Sequence, residues 1–123
     1  MAIRVNTNYH TISPPAELDD KLFDLQRAGA YAKLLGEDNL YNQLKEAFNS
    51  LKSQWEAHAS ELCKQKTKTN WLGGGEVYRY LSFSGGNFDD IGSKIVAEEV
   101  MKRFGKQGLI DSLNETIRKL NNK

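Results

Sequence analysis

One cysteine, two histidines and two prolines are all that this 123-residue chain holds of those residue types. A lone Cys63 excludes an intrachain disulfide and suits a reducing compartment. His10 and His58 stand far apart, and no HExxH, CxxC or His/Cys cluster exists, so neither a metal site nor a cofactor is expected. No serine occupies a G-x-S-x-G elbow. The adjacent acids Asp19/Asp20 and Asp89/Asp90 diverge if helical, which denies them the geometry of an acid–base pair. With no catalytic constellation, the expectation is a protein that is not an enzyme. No apolar run approaches a membrane-spanning length, and "MAIRVNTNYH" carries no signal-peptide core, so the reading is cytoplasmic with no membrane partner. Neither sign of charge dominates: 17 basic and 16 acidic residues give +1, too little for a global field to draw in nucleic acid. Any electrostatic recognition has to be local.

What is present reads as a single domain over 1–123, long enough to bury a core without disulfides. "AIRV" (2–5) reads as a short strand, and "HTISPP" (10–15) as a stiff extended lead-in. A first helix is expected from about Pro15 to Leu35, with two apolar stripes. Leu18, Leu22, Leu25, Gly29 and Ala32 form one, and Ala16, Phe23, Ala30 and Leu34 the other. Two stripes imply two neighbours, so Phe23, Arg27, Ala30 and Leu34 are candidates for self-association into a homo-oligomer. Gly29 suggests close approach to another helix. Gly36 ends this helix and Asp38 can cap the next, about 38–65. There Leu40, Leu44, Phe48, Leu51, Trp55, Ala59 and Leu62 share a face, and His58 falls on it as a core imidazole.

The period then changes. "NWLGGGEVYRYLSFSGGN" (70–87) holds half of the chain's ten glycines among aromatic and β-forming residues. It reads as a β-hairpin turning at "GGG", with 76–83 as its second strand. Alternation puts Val77, Arg79, Leu81 and Phe83 on one side, and Glu76, Tyr78, Tyr80 and Ser82 on the other. If the first set faces the core, the tyrosines face outward. Asn87 or Asp89 can cap a third helix, about 88–104, ended by Gly105, and a fourth follows over about 108–121. The expected fold is α+β and helix-dominated: two helical hairpins packed with a small antiparallel β-hairpin or sheet, in the order β-α-α-β-β-α-α.

The hairpin is the expected working surface. Tyr and Trp bury large area at small entropic cost and keep a polar tip. Trp71, Tyr78, Arg79 and Tyr80, with Lys66 and Lys68 beside them, are therefore the candidate binding residues. Two readings follow. The first is a small protein-binding module of the inhibitor or immunity type found in prokaryotes and phages. The second is a binder of nucleic acid, a nucleotide or another phosphorylated small molecule, gripping phosphate with Lys64, Lys66, Lys68 and Arg79 and stacking bases on the aromatics. "SGGNFDDIGSK" (84–94) misses the phosphate-loop spacing by one residue and places two acids where phosphate would sit, so it reads as a turn and helix cap. Glu99 and Arg103 have ion-pair spacing, and a buried Glu99 could instead face Arg79. "WLG" (71–73) resembles the W-x-G turn of small secreted WXG-type helical hairpins. The strand that follows it departs from that family, and so does a tail without a tyrosine–acid secretion signal.

Overall fold

The computed structural model describes residues 6–70 and 72–122; the strand expected at 2–5, and Trp71, lie outside the described residues. The described chain runs β1 (Thr7–Ile12), α1 (Ala16–Leu35), α2 (Asp38–Lys66), β2 (Lys68–Thr69), β3 (Gly75–Tyr80) and α3 (Ile91–Asn121). It is α+β and helix-dominated, but the order is β-α-α-β-β-α with three helices, which corrects the expected four. The segments read as a third and a fourth helix form one element broken at Gly105, where φ is 69° and ψ is −167°. A glycine was expected to stop the helix. Because it alone tolerates this backbone region, it bends the chain for one residue and lets the helix resume.

The sheet is also corrected. It is mixed, in the order β1-β3-β2. β1 pairs with β3 in parallel from Thr7↔Gly75 to Ile12↔Tyr80. Only β2 is antiparallel to β3, over two residue pairs. The whole α1–α2 hairpin lies between β1 and β3 in sequence, and such a crossover brings the chain back in the same direction. The signal for β1 was present in "TNYHTI", where Thr7, Tyr9 and Thr11 alternate with Asn8, His10 and Ile12.

α1 is the central helix, buried around much of its circumference at Leu22, Leu25, Gln26, Ala28, Tyr31 and Ala32. α2 and α3 both pack on it. The link from β3 to α3 closes the remaining side. Phe83 and Phe88, each 5% exposed, drop from it into the helical core. Phe83 meets Phe23 edge-on at 4.7 Å, and Phe48 lies within 6 Å of both buried rings, at 5.7 Å from Phe83 and 5.5 Å from Phe88. Gln26 is fully buried, and its amide donates to the carbonyls of Gly85 and Asn87, both at 2.8 Å. Gly29 serves a close approach, though not to a helix as expected. A Cβ there would lie 2.3 Å from the Phe88 ring. Trp55 Nε1 donates to Leu81 O at 2.8 Å and ties the same link to α2. Asp90, rather than Asn87 or Asp89, caps α3 by accepting from Ser93 N at 3.0 Å. Glu37 rather than Asp38 is the residue before α2.

Candidate functional site

The hairpin stands on the last turns of α2. Asn70 builds its turn: the side-chain oxygen accepts from Leu72 N at 2.9 Å and Gly74 N at 3.2 Å, and the backbone N–H donates to Gly74 O at 2.8 Å. Thr67, at the end of α2, accepts the backbone N–H of Tyr78 at 3.0 Å. These bonds fix β3 against α2 and leave a groove of about 580 Å³ between them. Ser60, Cys63, Lys64, Thr67, Tyr78, Arg79 and Tyr80 line it, and no carboxylate does.

The expected facing of the strand holds only in part: Val77 is half-buried and Phe83 buried, as the core side requires. Arg79 is exposed and Leu81 is 51% exposed, whereas Tyr78 and Tyr80 are half-buried. Of the set read as core, only Phe83 is buried. The reason is the attachment. The end of α2 covers the side of β3 that carries Tyr78 and Tyr80. Arg79 escapes burial on the outer face, its guanidinium 5.2 Å from the centre of the Tyr9 ring. Glu99, the carboxylate considered for it, is exposed and paired with Arg103 at 2.6 Å.

Parallel register places Asn8 beside Glu76 and His10 beside Tyr78. The His10 ring lies flat on Tyr78, with centroids 4.4 Å apart and planes 18° apart. His10 Nε2 also pairs with the Glu76 carboxylate, and Asn8 donates to Glu76 at 3.1 Å. The hydrogen bonds from His10 and then Asn8 hold the Glu76 carboxyl below its ordinary value of 4.5. Lys66 Nζ stands 5.6 Å from the centre of the Tyr78 ring. Lys68 is exposed on β2.

Of the candidate binding residues, Tyr78, Arg79 and Tyr80 line one groove, Lys66 adjoins it through Tyr78, and Lys68 lies on the neighbouring strand. Trp71 lies outside the described residues. His10, read from sequence only as a residue before a proline loop, belongs to this surface, and so does Asn8. The self-association candidates separate: Phe23 covers Phe83, Arg27 pairs with Asp24 at 3.4 Å, and Ala30 and Leu34 line a different cleft. His58 is exposed rather than a core imidazole. Cys63 is buried, as a structural cysteine is.

That second cleft went unread in the sequence. It measures about 330 Å³ and lies where α1 and α2 meet the start of α3. Ala30, Leu34, Phe88 and Ile91 give it an apolar floor, and Lys33, Lys94, Asp89 and Asp90 surround it. Tyr41 donates to Asp89 across one end, and Lys33 Nζ stands 5.7 Å from the Tyr41 ring centre. The spacing of Ala30 and Leu34 was visible as a stripe. Their meeting with Phe88 needed the path of the β3–α3 link.

Among the described residues no group of His, Cys, Asp and Glu could hold a metal ion, and no helix is long and apolar enough to cross a membrane. No protein-family model, no curated protein and no solved structure matches the chain.

Proposed function

We propose that the protein is a non-enzymatic binding module whose hairpin surface engages an acidic segment of a protein partner. The observation that carries this reading is the composition of the α2–β3 groove: Lys64 with the hydroxyl-bearing Ser60, Thr67, Tyr78 and Tyr80, no lining carboxylate, and Arg79 at the edge with its guanidinium turned to Tyr9 on the outer face. Glu76, on the same strand, is already bound by His10 and Asn8. Lys66 and Lys68 extend the positive surface past the groove. An acidic segment supplies acceptors for these donors at a spacing that side chains can follow.

The competing reading is a single-stranded nucleic acid on the same residues. It needs aromatic faces open to stacking bases. Tyr78 carries His10 on its ring and has Lys66 beside it, and the Arg79 guanidinium stands over Tyr9. These rings are occupied within the fold, which favours the acidic protein segment.

The test is fluorescence anisotropy with two labelled probes, a polyglutamate peptide and an oligo-dT strand, at low and physiological salt. Polyglutamate is expected to bind, to weaken as salt rises, and to be lost with Lys64→Ala combined with Arg79→Ala. Tighter binding of oligo-dT would promote the nucleic-acid reading. Binding of neither probe, or binding indifferent to the double substitution, would end the proposal for this groove.

A further inference from the structure

The cleft beside Tyr41 opens beside a run of exposed apolar side chains. Ile91 is 74% exposed and Ile95, one turn on, is 59% exposed. Leu34 lies across from them at 42%. Val96, Met101 and Phe104 continue the exposure along the first half of α3. A helix that buries only Ser93 and Ala97 there, while presenting this much apolar surface, is built with a second neighbour in view.

The charges around the cleft say what that neighbour is. Two lysines, Lys33 and Lys94, face two aspartates, Asp89 and Asp90, so the rim favours neither a basic nor an acidic partner. Both signs on one patch make it complementary to itself. In a twofold contact, Lys94 of each copy meets the aspartates of the other, and the two equivalent pairings form together.

We infer that the α1–α3 cleft and the Ile91–Ile95 stripe form the twofold interface of a homodimer of this chain. Leu34 and Ile91 of each copy close over the cleft of the other. Phe23, half-buried and packed edge-on against Phe83, takes no part.

Sedimentation velocity on the full chain, from micromolar to near-millimolar concentration, tests the inference. The mass is expected to rise from 13.9 kDa toward twice that value. Ile91→Glu and Ile95→Glu should each weaken association at least tenfold with an unchanged circular-dichroism spectrum and melting temperature, because both side chains project into solvent. Lys94→Glu should weaken it as well, and most at low salt. Tyr9→Glu, on the outer face of the sheet, should leave it intact. A chain that stays monomeric at every concentration overturns the inference. So does a dimer that survives Ile91→Glu, or one that Tyr9→Glu dissolves.

Discussion

Tyr41 and Asp89 illustrate how much a single contact can shift a residue's chemistry. The hydrogen bond to Asp89, then burial, then the charge of the Asp89 carboxylate push the Tyr41 phenol from 10.0 up to about 12. A raised value on an acid that is neutral when protonated means that the contact favours the fold below the unfolded value of 10.0. It is lost as pH climbs from there toward about 12. Alkaline titration of phenolate absorbance should therefore show one tyrosine ionising last. Asp89→Asn should return that step to the range of the others, and a titration unchanged by Asp89→Asn would show that the contact does not form in solution. Gln26 is the other residue whose role exceeds its sequence signal. A glutamine inside an apolar helical stripe looks like an interruption of the pattern. Its amide instead satisfies two carbonyls of the β3–α3 link where water is excluded, and an unpaired carbonyl there would be costly.

At the scale of elements, Gly105 is the joint on which α3 depends. Its backbone angles lie in a region that a side chain rarely tolerates, and they allow Ser93 and Ala97 in the first half, and Leu109 and Leu113 in the second, to reach the core from one broken helix. Gly105→Ala is expected to cost about 1–3 kcal/mol in urea denaturation. A helix that simply straightened through the site would show no loss. The helices were legible because their 3.6-residue period is a local property: α1 and α2 run within a residue or two of the expected bounds, with Gly36 closing α1 as read. The hairpin turn was legible for the same reason. What was not legible depends on meetings between distant segments. β1 takes its place from Gly75–Tyr80, and the facing of Tyr78 from which side of β3 the end of α2 covers. Asp90 won the cap because Phe88, two residues earlier, is held against Gly29 and the helix starts only after it. Alternation in 76–83 showed that two faces existed, but not which one the helix would take.

For the molecule as a whole, the sheet and the helical body are unequally secured. The body shares an aromatic and aliphatic core, whereas the sheet is attached through β3 to the end of α2. The His10–Glu76 pair helps to hold β1 on β3. Glu76 titrates below its ordinary 4.5, so its contribution is present at neutral pH and is lost as pH falls through the lowered value. Hydrogen exchange followed by NMR should find the amides of β1 less protected than those of α1, with the gap widening below pH 4.5. Glu76→Gln should show the wider gap already at neutral pH. Uniform protection at both pH values would mean that the sheet and body open as one unit.

The parallel pairing of β1 with β3 also sets a schedule. Thr7 waits for a partner 68 positions downstream, and every residue of β1 waits equally long. At the usual pace of synthesis that delay is roughly 3 to 14 seconds, whereas a helix of this size forms in about a microsecond. The α1–α2 hairpin is thus complete long before the strand at its root has anything to bind. For those seconds the nascent chain carries a β-forming segment with both edges bare beside a finished pair of helices. β3, the last strand in sequence, enters between β1 and β2 and covers one edge of each at once, so that β1 and β2 remain the edge strands of the described sheet.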